Sequence, residues 1–162
     1  MIRIIPFVLY FLLLAMHQVI WKDITGIFGA AINLAAMMVI LVAIYRTEMT
    51  AVWFGFVAGL VAAAGIPGVM GWQALTLAGI GLAAFHMRER LNLDSLNAKL
   101  LLVLGGVLVH NLLTLIIVRT DAFWYRLAVN AVTGAVYTTL VAWLFFLVKE
   151  KRITVRKIRS IF

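Results

Sequence analysis

The side chains of this sequence that could do chemistry are a few polar residues inside long apolar runs. His110 and Asn111 lie near the middle of the apolar run 100–118, and Thr114 follows His110 one helical turn later. Asn33 stands inside an earlier run, 27–45. An ionisable side chain at membrane depth is by default a hypothesis for function. These residue types could hydrogen-bond a polar solute, transfer a proton or bind a metal.

The sequence pattern around these residues argues against proton transfer and against metal binding. All Asp and Glu residues fall outside the apolar runs, so no carboxylate shares the depth of His110, as a proton relay or a metal site would need. The three histidines lack the His-x-x-x-His spacing that places two ligands on one helix face. We therefore predict no catalytic residue, cofactor or metal, and interpret His110 and Asn111 as hydrogen-bonding across helices, at roughly 0.6 kcal/mol per contact.

Composition predicts an integral membrane protein. Hydrophobic residues make up 65% of the 162 residues, charged residues only 12%, and the mean hydropathy is +1.11. A soluble domain carries roughly twice that charged fraction. The net charge of +8 is expected to meet anionic lipid rather than nucleic acid, because all basic residues except Arg126 lie outside the apolar runs. The sequence has no cysteine, which excludes disulfides and thiolate chemistry.

The apolar runs predict an all-α fold, a polytopic membrane protein with a bundle of six transmembrane helices in residues 1–148. The third and fourth runs are short for a hydrocarbon core of about 30 Å. With both termini in the cytoplasm, most Lys and Arg residues fall on that side, as the positive-inside rule requires. The approximate spans are 4–21, 27–45, 50–65, 71–87, 100–118 and 125–148.

A basic cytoplasmic tail, 149–162, follows the last run. As a helix it would gather Arg152, Arg156 and Arg159 beside an apolar face and lie in the lipid interface. An alternative with equal support is that the tail is not helical and that its positive charge only sets the topology of the chain in the membrane. Together with Arg88 and Arg90, these three arginines are the predicted contacts to lipid or to cytoplasmic partners.

Small residues at helical spacing predict close packing of the third and fourth runs. Gly55 and Gly59 share one face of the third run, and the fourth presents Ala74, Ala78 and Gly81 with Gly79 beside them. In hydrocarbon, such faces let two backbones approach closely. The turn between the runs contains Pro67 and ends at Gly71. The residues predicted to support helix packing are Gly55, Gly59, Gly71 and Gly79.

This hairpin resembles the MreD family of bacterial rod shape-determining membrane proteins. The resemblance rests on Gly55-Phe56-Val57-Ala58-Gly59-Leu60, on Gly71, which follows Gly59 by twelve residues, and on the polar loop 88–99. Chain length, Arg46 before the third run and Asn130 early in the last one also fit. Ala63 stands where the family usually has Asp, and the prolines usual in the second and last helices are missing. The chain thus resembles a divergent member, and no role of that Asp is carried over.

The resemblance implies a non-enzymatic scaffold of the cell-elongation and peptidoglycan-synthesis complex in the bacterial cytoplasmic (inner) membrane. The implied partners are a bitopic MreC-like protein, a RodA-type glycosyltransferase with its transpeptidase, and the actin-like MreB. Under this hypothesis Gly55, Gly59 and Gly71 shape the helical core.

The alternative hypothesis is a substrate-binding S-component of an energy-coupling-factor vitamin transporter, a class of small six-helix proteins that the MreD fold resembles. Such a protein needs a pocket, and its predicted lining is Gln73, His110, Asn111, Asn130 and Tyr137. An intramembrane enzyme acting on lipid is the weakest alternative, because the runs lack the nucleophiles and acids it would use.

Overall fold

The structure, a computed structural model, describes residues 5–17, 31–91, 93, 95–118 and 122–149. Within these ranges the fold is all-helical. The helices are α1 (Ile5–Met16), α2 (Leu34–Tyr45), α3 (Glu48–Ala62), α4 (Pro67–Arg90), α5 (Leu96–Val118) and α6 (Phe123–Lys149). A π-helical segment, Leu127–Val132, lies inside α6.

Three helices, α4, α5 and α6, are long and apolar enough to cross a membrane. Helices α1, α2 and α3 have 12, 12 and 15 residues. At 1.5 Å per residue, α2 is about 18 Å long against a hydrocarbon core of about 30 Å. Six complete spans with both termini in the cytoplasm stay a prediction. The predicted tail, with Arg152, Arg156 and Arg159, lies outside the described residues.

Two of the helix starts that differ from the predicted spans are explained by a residue that favours a helix N-terminus. Helix α2 begins at Leu34 rather than at residue 27, and residues 31–33 are not helical. The Asn33 side chain accepts a hydrogen bond from Ala36 N at 3.0 Å and so caps α2. Helix α4 begins at Pro67, four residues earlier than predicted, because proline suits the first helical position.

Helices α3 and α4 pack backbone to backbone. A Cβ built on Gly55 would lie 2.5 Å from Leu77 O, and one on Gly81 would lie 2.7 Å from Ala51 O. A Cβ on Gly59 would overlap Ala74 Cα and Gln73 O. These contacts involve main-chain atoms of the facing helix, so no rotamer change could make room for a side chain. The small-residue faces therefore set the distance between the two helices.

The packing prediction was wrong for Gly71 and Gly79. A Cβ at either position would meet no described atom within 4 Å outside the local helix backbone. Both glycines are exposed. Spacing alone did not distinguish these exposed positions from Gly81, which is buried against α3.

Helix α2 is the centre of the bundle. Nine of its twelve residues are buried, and it contacts the other five helices. Outside this centre, α1 packs on α3 through Phe11 and Phe54, whose rings stack with centroids 4.8 Å apart.

At the C-terminal end of α2, Arg88 of α4 donates to the carbonyls of Ala43, Ile44 and Arg46 at 2.9–3.1 Å. One side chain thus satisfies carbonyls that have no partner within α2.

Candidate functional site

A cavity of about 430 Å³ lies at the N-terminal end of α2. Residues 31–33, which precede α2 and are not helical, form part of its wall. Non-helical backbone at membrane depth is tolerated where it is buried in protein or lines a water-filled cavity. The polar side chains of the lining are His17, Asn33, Gln73, His110, Asn111, Thr114 and Asn130, and its other residues are apolar.

Asn33 joins the helices around this cavity. Its side-chain amide nitrogen donates to Asn111 Oδ1 at 2.7 Å and lies 2.8 Å from His110 Nδ1, while its oxygen caps α2. Its backbone N–H donates to Thr138 Oγ1 of α6 at 3.0 Å. Asn33 therefore links the start of α2 to both α5 and α6, using both amide hydrogens and its own main chain.

These hydrogen bonds assign the tautomer of His110. The amide nitrogen of Asn33 can only donate, so Nδ1 of the imidazole accepts and Nε2 carries the hydrogen. Nε2 then donates to Gln73 Oε1 of α4 at 2.9 Å. Gln73 Nε2 in turn donates to Thr114 Oγ1 at 3.3 Å, and Thr114 donates to His110 O at 2.9 Å. His110 is buried with both ring nitrogens hydrogen-bonded across helices, as the sequence interpretation expected.

The same network reaches the π-helical segment of α6. Asn111 Nδ2 donates to Ala131 O at 3.2 Å, and Ala131 lies inside that segment. Asn130 lines the cavity from the same segment and is exposed there. Because π-helical turns recur at functional sites, the irregular part of α6 is a second feature, besides the start of α2, that points to this cavity.

Four of the five predicted pocket residues line this cavity: Gln73, His110, Asn111 and Asn130. Tyr137 is not among the lining residues and was wrongly included. It is half-buried on α6, seven residues and therefore about 10 Å beyond Asn130 along the helix axis. The sequence indicated the correct helix but not how far along it the cavity extends.

The pocket prediction missed three polar lining residues, Asn33, His17 and Thr114. Asn33 carried a usable signal, since Asn directly before a helix is a common N-cap. Thr114 follows His110 by one helical turn, a spacing that the sequence shows. His17, which directly follows α1 and is buried, had no such signal. Thr138 lies outside the lining and is fully buried behind Asn33.

The groups that remain available in the cavity are mostly donors. Within the described residues, one amide hydrogen of Gln73 and one of Asn111 have no protein acceptor. The backbone N–H groups of Leu34 and Ala35, both in the lining, precede the first hydrogen bonds within α2. The site can therefore hydrogen-bond carbonyl or other acceptor oxygens of a small molecule. Across the described ranges, no three His, Cys, Asp or Glu side chains group as metal ligands.

Comparison with known proteins identifies no relative. No protein-family model, curated protein or solved structure matches this chain.

The predicted cytoplasmic contacts divide into three groups. Arg88 is partly buried and holds the end of α2, whereas Arg90 is exposed in the last turn of α4. Arg152, Arg156 and Arg159 fall outside the described residues.

Proposed function

We propose that this chain is a non-enzymatic membrane scaffold of the MreD type in the bacterial cytoplasmic membrane. It would hold an MreC-like protein, a RodA-type glycosyltransferase with its transpeptidase, and MreB in the cell-elongation complex. The observation that carries the proposal is the backbone contact of Gly55 and Gly59 with α4. Two of the residues on which the MreD resemblance rests, Gly55 and Gly59, are thus residues that position two helices against each other.

The opposite face of α3 supports the scaffold role. Met49, Trp53 and Val57 follow one another at four-residue spacing, and they are 68%, 62% and 37% exposed. Because the glycine face already packs on α4, this outer stripe of large side chains is available to helices of other membrane proteins. A fixed α3–α4 pair would present the stripe in a constant geometry.

The test is purification of the tagged chain from its native membrane in mild detergent, followed by mass spectrometry of proteins that co-purify. We expect MreC-like and cell-wall synthase components. Trp53→Ala should reduce their recovery, while the matched variant Trp143→Ala, on an exposed face of α6, should not. Absence of these components from the wild-type preparation, at full yield of folded chain, would contradict the scaffold function.

A substrate-binding subunit of a vitamin transporter is the second candidate, and the cavity favours it. The cavity is of the size that binds small molecules. It also adjoins the N-terminus of a short helix, as do substrate sites in transporters with broken helices. If the chain has this second function, the same purification should yield a bound small molecule and an ATPase module. Gln73→Leu should abolish recovery of the small molecule, whereas Thr76→Val, one turn further along α4, should retain it.

A further inference from the structure

A second cavity, of about 660 Å³, lies at the opposite end of α2. Its polar lining consists of Arg46, Thr47, Thr50 and Arg88, and its other described lining residues are aromatic. No acidic side chain belongs to the described lining, although Glu48 lies in the first turn of α3 nearby. Two guanidinium groups and two hydroxyl groups thus face one space with aromatic walls.

The guanidinium of Arg88 is held in place before any ligand arrives. Its Nη1 atom donates to the three carbonyls at the end of α2, and its Cζ lies 4.3 Å from the centroid of the Phe85 ring. Among the described residues, the Nε and Nη2 hydrogens have no acceptor and can therefore bind another one. An arginine fixed in this way loses little side-chain entropy when it binds an anion.

Two lysines add to the positive charge at this end of the bundle. Lys149 Nζ of α6 lies 3.1 Å from the ring centroid of Tyr45, the residue before Arg46. Lys99 of α5 lies close to the same part of α6, with its Nζ 5.9 Å from the centroid of the Phe146 ring. Cations from α2, α4, α5 and α6 therefore converge. Their mutual repulsion would be relieved by a bound anion.

We propose that this cavity binds the phosphate group of an anionic membrane lipid. Arginine forks match the oxygens of a phosphate. The Thr47 and Thr50 hydroxyls hydrogen-bond each other at 2.8 Å, which leaves one hydroxyl hydrogen that can donate to the phosphate. The site lies where α4 and α6 end and α5 begins, the end that the distribution of Lys and Arg assigns to the cytoplasm. Basic pockets between membrane helices on that side bind lipid headgroups, and the aromatic walls suit the lipid's apolar part. This inference is independent of the scaffold and transporter proposals.

Thermal unfolding of the purified full chain in detergent tests the proposal. Dioleoylphosphatidylglycerol, dioleoylphosphatidylcholine and inorganic phosphate are added at matched concentrations. Phosphatidylglycerol should raise the unfolding temperature more than phosphatidylcholine does. Arg46→Gln and Lys149→Gln should each weaken the apparent affinity for phosphatidylglycerol about fivefold, since one base near an anionic lipid contributes about 1 kcal/mol.

Arg126→Gln is the matched control, because Arg126 is exposed at the opposite end of α6. Arg88 is not substituted here, since its loss would also disturb the end of α2. Equal effects of the two lipids, or an equal loss in Arg126→Gln and Arg46→Gln, would overturn the proposal. If inorganic phosphate stabilises the chain as strongly as phosphatidylglycerol does, the phosphate site is retained but its lipid source is rejected.

Discussion

The α3–α4 interface and the interface of α2 with α5 and α6 bring helices together by opposite means. Glycine and alanine let α3 and α4 meet through main-chain atoms, whereas α2 is joined to α5 and α6 through the amides of Asn33 and Asn111. Both solutions suit an apolar solvent, where hydrophobic burial does not drive helices together. The first leaves almost no space between the helices, while the second surrounds a cavity.

The two interfaces also depend on each other. Gly59 of α3 lies against the backbone of Gln73, and the Gln73 side chain accepts a hydrogen bond from His110 in the cavity. The close pair therefore fixes the position of one wall of the polar site. Substitutions at each interface should consequently differ in size and in what they disturb.

The largest effect is expected for Gly59→Leu. Its side chain would have to displace main-chain atoms of α4, so the loss of stability should exceed the 1–3 kcal/mol that is typical of overpacking. Folded yield by size-exclusion chromatography and the unfolding temperature measure this loss. Gly79→Leu, at an open position of α4, should behave like the wild type. Similar losses in the two variants would contradict the packing role of Gly59.

The next largest loss of stability is expected for Asn33→Ala. It removes the N-cap of α2, at about 1 kcal/mol, and hydrogen bonds to α5 of roughly 0.6 kcal/mol each, for a total of about 2 kcal/mol. Thermal unfolding measures the change. Asn97→Ala, at an exposed position on α5, is the control and should be neutral. A neutral Asn33→Ala would show that the network does not stabilise the bundle.

Arg88→Met should destabilise the chain by about 1–2 kcal/mol, because it leaves the carbonyls at the end of α2 without their charged donor. The variant keeps a long apolar side chain, so the loss reports on the guanidinium. Arg90→Met removes an exposed charge two residues later and should change the unfolding temperature little. Equal losses of stability in Arg88→Met and Arg90→Met would mean that the change in net charge, rather than the loss of the α2 cap, causes them.

The smallest effect is expected for Thr138→Val, at about 0.6 kcal/mol. It leaves the backbone N–H of Asn33 without its acceptor, while the shape of the buried side chain is conserved. Thr139→Val is the control, since that hydroxyl donates only to Ala135 O within its own helix. The difference between the two unfolding temperatures measures how much the contact between α2 and α6 stabilises the chain. Equal unfolding temperatures would show that this contact does not stabilise it.

Much of the helical organisation could be predicted from the sequence, because it depends on local chemistry. Long apolar runs with few charges indicate helices of membrane type, and the four-residue spacing of Gly55 and Gly59 indicates a close helix contact. The starts of α4 at Pro67 and of α2 after Asn33 were predicted at residues 71 and 27, although both residue types favour helix N-termini and the signal was present in the sequence. Four cavity residues were also found, because a polar side chain inside an apolar run is conspicuous.

Only the tertiary structure decided which of these features meet. It placed Gly81 against α3 and Gly79 away from it, brought Asn33 to His110 across 77 positions of sequence, and excluded Tyr137 from the cavity. It also gathered Arg46, Arg88 and Lys149 at one end of the bundle. The physical reason is that the sequence fixes the spacing of side chains along each helix. The rotation and depth of one helix against another follow from packing of the whole bundle.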